Sequence, residues 1–152
     1  MDPILLPDSD FRKLFPFHLR VNDEGRLTSI GHTLEKVSGL KTGILLEDGV
    51  EIERPFLTHF SFKNILELPQ TLFLLRTLPE PRLRLRGEWL LPQGQSDLLF
   101  VGSPWISDMA ELKELDLSIS DFSVHDPMVD VLHLIKTNEI AIHDLKIGRA
   151  HV

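Results

Sequence analysis

The sequence predicts an α+β domain built on one five-stranded antiparallel sheet, with short helices placed between the second and third strands. Three observations carry this. Residues 17–31 alternate apolar and polar side chains on either side of a turn. Residues 71–104 hold three more apolar or alternating runs, each bounded by Pro, Gly or Ser. The intervening stretch, 33–69, has helical spacing and helix-stop residues in place of alternation.

Taken in order, "PDSDFRKLF" offers Ser9 or Asp10 as an N-cap, and Phe11, Leu14 and Phe15 follow at helical spacing. It predicts a short amphipathic lead-in helix. "FHLRV" puts Phe17, Leu19 and Val21 on one face of a strand and His18 and Arg20 on the other. "NDEG" turns the chain, and "RLTSIG" returns it as the second strand of a hairpin. "HTLEKVSGL" predicts a helix closed by Gly39, and "THFSFKNILEL" another closed by Pro69. "TLFLLRTL" is apolar enough for a strand covered on both faces. In "PRLRLRGEWLLP", Leu83 and Leu85 point one way while Arg82, Arg84 and Arg86 point the other, and Gly87 marks a bulge or a close backbone approach. "DLLFVGSP" completes the sheet as a buried strand. Asp108 can cap a helix over "MAELKEL", and "LSIS" has the look of a short strand. In "HDP", Asp126 is a helix N-cap and Pro127 occupies the first helical position. Beyond it Met128, Val131, Ile135, Asn138, Ile142 and Leu145 form a heptad-like seam with one polar member. The final "IGRAHV" does not continue this pattern and reads as a cloning scar.

Composition narrows the function classes. At 152 residues the chain can bury a core without staples. Sixteen basic against 23 acidic side chains give −7, a charge that repels nucleic acid and anionic membranes. No cysteine is present, which removes disulfides, thiolate zinc sites and cysteine nucleophiles, and fits a reducing cytosol. No apolar run is long enough for a membrane span, and "MDPILLPDSD" lacks the basic start of a signal peptide.

The densest cluster of reactive side chains is "SDFSVHDPMVD", with Asp121, His125, Asp126 and Asp130. Catalysis would need His125 oriented by a carboxylate and facing a nucleophile or substrate. A metal would need three or four converging ligands, and the spacing fits no such pattern. Capping accounts for Asp126 and a turn for Asp121, so the cluster is read as the joint by which the sheet enters its last helix. His18 is read as a strand histidine held by local hydrogen bonds. The three strand arginines are expected to meet carboxylates or solvent.

"FPFH" with Asp23 five residues on, "LRLRG", "LLFVGSP" and "DLSISDFSVHDPMVD" stand here in that order. In these four motifs, which span about residues 15–136, the chain resembles the haem-nitric-oxide-binding-associated domain, H-NOXA. That domain accompanies H-NOX gas sensors in soluble guanylate cyclases and bacterial histidine kinases. The motif residues are Phe15, Pro16, Phe17, His18, Asp23, Arg86, Gly87, Gly102, Ser103, Pro104, His125, Asp126 and Asp130. The resemblance implies a PAS-like fold and a non-catalytic cytoplasmic module, without cofactor or metal, that forms a homodimer and relays a signal into a coiled coil. Its partners would be an H-NOX domain and a downstream kinase or cyclase. On that reading residues 1–14 are a flanking helix, 15–107 the PAS-like body, 108–146 the connector and signalling helix, and 147–152 foreign. The dimer face would use Leu5, Leu6, Phe11, Leu14 and Phe15 together with Met128, Val131, Ile135, Asn138 and Ile142. The alternative is a PAS-like sensor that binds its own small ligand in the hollow between sheet and helices.

Overall fold

The computed structural model describes residues 4–57 and 59–150, with side chains described as far as residue 141. Six strands form one antiparallel sheet: β1 (Leu19–Val21), β2 (Leu27–Ile30), β3 (Val50–Arg54), β4 (Phe73–Thr77), β5 (Arg84–Leu90) and β6 (Leu98–Pro104). They lie side by side in the order β2-β1-β6-β5-β4-β3. The five expected strands are all present. The sixth, β3, was not expected; it adds to the edge of β4 with Val50 opposite Thr77 and Glu51 opposite Arg76.

The helices are α1 (Asp8–Leu14), α2 (His32–Ser38), α3 (Leu46–Gly49), α4 (Phe62–Leu66), α5 (Met109–Glu114) and α6 (Pro127–Ala150). Gly39 ends α2 at φ 73°, a left-handed conformation that glycine adopts without steric cost. Asp108 caps α5 by accepting from the Glu111 N–H at 2.8 Å. Two local expectations fail. No side chain caps α1, which starts after Pro7. "LSIS" is no strand: Ile119–Asp121 is a single 3-10 turn, with the Asp121 carboxylate accepting from the Ser118 N–H at 2.9 Å. The helix α6 also runs through Ala150, past the boundary expected at residue 146.

Strand alternation decides what is buried. Leu83 just before β5, Leu85 and Trp89 of β5, and Leu98 and Phe100 of β6 turn inward and join Phe17, Leu19, Val21, Phe73 and Leu75 in one cluster. Leu34, Leu46 and Ile65 from α2, α3 and α4 close over it, and Leu112, Phe122, Met128 and Leu132 extend it toward the C-terminal helices. On the opposite face Arg84 pairs with Glu53 at 3.1 Å and Arg76 with Glu51 at 2.7 Å. These carboxylates offset the repulsion between Arg76 and Arg84, which sit directly across from each other on β4 and β5.

Between β5 and β6 the register sets Gly87 opposite Gly102. A Cβ on Gly87 would lie 2.2 Å from the Val101 carbonyl oxygen and 2.8 Å from the Phe100 ring, and one on Gly102 would lie 2.6 Å from the Arg86 carbonyl oxygen. Gly87 thus marks close backbone approach, with no bulge in this pair. Gly87→Ala should cost about 1–3 kcal/mol through forced separation of the strands, read as a lower melting temperature with retained secondary structure.

His18 is 1% exposed. Its Nδ1–H donates to the Phe15 carbonyl at 2.9 Å, leaving Nε2 to accept from the Ser29 hydroxyl at 2.9 Å, and the Phe11 ring lies edge-on at 4.9 Å. The neutral ring is therefore fully bonded. Burial lowers the His18 pKa below its ordinary value, assisted by Arg12 and Arg20 and opposed by the Phe15 carbonyl and Asp8. The unfolded chain then binds the extra proton more readily than the folded one. Stability present above the ordinary histidine pKa is lost as pH falls below it toward the lowered folded value. Wild type should lose more stability between pH 7.5 and 5.5 than His18→Gln; equal losses in urea titrations at both pH values would remove this histidine from the pH dependence.

Candidate functional site

Three stretches of chain far apart in sequence meet at one end of the sheet. The end of α1 and the following turn bring Leu14, Phe15, Pro16 and Phe17. The adjacent strands β5 and β6 bring Arg86 and the run Val101–Trp105. The joint and first turns of α6 bring Ser123, His125, Asp126, Pro127, Met128 and Val131. Together they line a surface groove of about 280 Å³.

Each side chain is placed by a local cause. Asp126 accepts from the Met128 N–H at 2.9 Å, and Pro127 is the first residue of α6, so the "HDP" start forms as read from the sequence. The His125 ring meets the Phe15 ring edge-on at 6.0 Å, and its Nδ1 is hydrogen-bonded to the Ser123 hydroxyl at 2.7 Å. Phe17 and Phe122 pack at 5.4 Å beneath. Arg86 lies over the Trp105 ring at 5.6 Å. Cross-strand pairing sets Arg86 opposite Ser103, whose hydroxyl oxygen is buried with no hydrogen-bond partner.

Of the motif residues, Phe15, Pro16, Phe17, Arg86, Gly102, Ser103, Pro104, His125 and Asp126 line the groove. His18 and Gly87 support it from behind, through the Phe15 carbonyl and the β5–β6 contact. Asp23 is elsewhere, in the exposed β1–β2 turn, and Asp130 is exposed on α6 without lining the groove. The arginine stripe divides: Arg82 and Arg84 meet Glu80 and Glu53, whereas Arg86 has no carboxylate partner among the described residues.

The expected interface residues also divide. Leu5 (83% exposed), Leu6 and Leu14 are open to solvent, and Phe11 and Phe15 are half-buried. Val131 and Asn138 are exposed and Ile135 is half-buried. Met128 is a different case. At 5% exposed it belongs to the protomer's own core beside Leu132, which the sequence reading passed over. The side chains of Ile142 and Leu145 lie outside the described residues. Trp105 and Ser123 were also missed; an apolar residue directly after the "GSP" strand end was the available signal for Trp105.

Chemically the groove is apolar-walled with one unpaired cation. Ser123 and His125 resemble a nucleophile–base pair, but no carboxylate bonds the far side of the imidazole among the described residues. Nor do the described residues contain three His, Asp or Glu side chains grouped to hold a metal ion. No helix in them is long and apolar enough to cross a membrane.

Comparison with known proteins agrees with this convergence of motifs. The family model described as "Heme NO binding associated" matches residues 4–82 and 78–146. The human guanylate cyclase soluble subunit alpha-2 is 30% identical over 132 residues, covering 80% of this chain and 18% of that protein. The soluble guanylate cyclase gcy-37 of Caenorhabditis elegans is 26% identical over 148 residues, covering 86% of this chain and 21% of the relative. The rat guanylate cyclase soluble subunit beta-2 is 28% identical over 135 residues, covering 82% and 20%. The chain thus spans about a fifth of the length of these relatives. It belongs to the heme NO binding associated family.

Proposed function

We propose that this domain is a non-catalytic, PAS-like module that pairs with a second copy and relays a signal from an H-NOX sensor to an output domain through α6. The observation that carries this is the groove itself: the motif residues gather where α6 leaves the sheet, and nowhere else in such number. The order β2-β1-β6-β5-β4, with α2, α3 and α4 inserted before β4, supports the PAS-like reading, and β3 is then an added edge strand. The named relatives are cyclases, which supports a cyclase output; a histidine kinase output remains part of the same proposal. The same proposal sets the domain in the cytoplasm, a setting with which the cysteine-free composition is compatible.

Helix α6 has two stripes. Met128, Leu132 and Ile135 turn toward the domain, while Val131, Leu134 and Asn138 stand outward, with Leu134 65% exposed. Glu139 still reaches the Met109 N–H of α5 at 3.4 Å, so about three turns of α6 run alongside the body. The outward stripe is the seam offered to a parallel mate. A shift at residues 123–127 would then rotate that seam. The alternative reading, a sensor with its own ligand, would use the opening of about 550 Å³ beside β3, walled by Val50, Ile52, Leu57 and Phe60. A small molecule that co-purifies in stoichiometric amount would favour it.

Light scattering at micromolar concentration should give about twice the monomer mass of 17.4 kDa, and a monomer at all concentrations would refute the proposal. Asp126→Ala should cost about 1 kcal/mol of stability through loss of the cap, with the sheet intact. Asn138→Leu should tighten the dimer while loosening its register, and unchanged affinity would take α6 out of the interface.

A further inference from the structure

Two parts of this protein are incomplete in complementary ways. In the groove, the only partner of the Arg86 guanidinium among the described residues is the Trp105 face. Among the other described arginines, 12, 20, 76, 82 and 84 are ion-paired and Arg26 donates to the Gly43 carbonyl at 2.9 Å, while Arg54, which does not line the groove, also has no ion pair among the described residues. Beside Arg86 the walls are apolar and open, with Leu14 40% and Trp105 46% exposed. At the N-terminus the reverse holds. Ile4 (89%) and Leu5 (83%) have no cover, and five residues after Leu5 Asp10 has no ion pair among the described residues, whereas Asp8 is engaged by Arg12 at 2.9 Å.

We infer that the apolar, acidic arm of residues 4–10 in one copy occupies the groove of a second copy, with Asp10 meeting Arg86. The inference rests on the pairing proposed above and specifies its contact. The arm cannot be the groove's occupant in its own copy in this structure, because Ile4 and Leu5 are exposed. The geometry explains why: α1 ends at the groove wall with Leu14, so its first residue, Asp8, and the arm before it lie a helix of seven residues away, about 10 Å at 1.5 Å per residue. Exchange between two copies restores both deficits at once. It covers the aliphatic side chains of Ile4, Leu5 and Leu6 and gives Arg86 a carboxylate, in a protein of net charge −7 where no acid among the described residues pairs with it. A reciprocal exchange is also closed, since each copy supplies one arm and one groove, which limits assembly to a dimer.

The test is a charge exchange followed by sedimentation equilibrium of the whole chain. Arg86→Glu and Asp10→Lys should each weaken the homodimer about tenfold, because each sets like charges together in both contacts. An equimolar mixture of the two variants should pair with an affinity within about threefold of wild type. In that mixture one contact is native and the other joins the reversed arm to the reversed groove. A contact within one copy could not be rescued by mixing. Arg86→Gln, which removes the charge without reversing it, should shift the dimer constant in the same direction by less. Melting curves establish that the variants are folded, both substituted positions being exposed. A mixture no tighter than its components, or an unchanged dimer constant after removal of residues 1–7, overturns the arm exchange and leaves dimerisation standing. A wild-type monomer overturns both.

Discussion

The contact on which the remaining structure depends is the meeting of Gly87 and Gly102 across β5 and β6. With a Cβ on either residue the two backbones could not approach as they do, and the Phe100 ring could not lie against both. This contact pins the register of the two longest strands. A slip of one residue would send Leu83 and Leu85 to solvent and Arg84 and Arg86 into the core. Because the register holds, Arg86 stands opposite Ser103 near the strand ends, and the "GSP" end of β6 delivers Trp105 beside it. The groove is a consequence of strand pairing before it is a consequence of any helix.

The second constraint is the way the chain enters and leaves at the same place. The entering segment stacks Phe11 on Phe15 at 5.1 Å and ties the Phe15 carbonyl to buried His18. The leaving segment sets His125 against Phe15 and caps α6 with Asp126. The turn after α1 and the first turn of α6 are thus joined by one aromatic contact and a short turn. Such an arrangement suits a relay, since two rigid elements share a joint built from few side chains.

Much of this was readable from the residues, and the misses have physical reasons. Alternation in "PRLRLRG" gave the correct faces for β5, and "HDP" gave the start of α6, because both signals are local. The strand β3 was missed because "VEIER" is a short, charged edge strand. Its carboxylates find Arg76 and Arg84 only after folding. "LSIS" failed for the opposite reason: its alternation is that of a 3-10 turn with Leu117 buried and its serines turned out. The seam on α6 was half right. Spacings of three and four locate apolar residues on a helix but cannot say which of two neighbouring stripes faces home, so Met128 was assigned outward and Leu132 overlooked. The convergence of distant motifs on one groove has no signature in linear sequence at all.

The absence of cysteine permits a direct test of the central claim, that α6 pairs with its mate along the outward stripe. A single Asn138→Cys substitution places one thiol on that stripe, and Lys136→Cys places one off it. A disulfide forms readily only when the two Cα atoms approach to roughly 4.4–6.8 Å. Mild oxidation should convert the Asn138→Cys protein rapidly to a covalent dimer and leave the Lys136→Cys protein largely monomeric on non-reducing gels. Equal, slow cross-linking of the two would contradict a parallel pairing of α6.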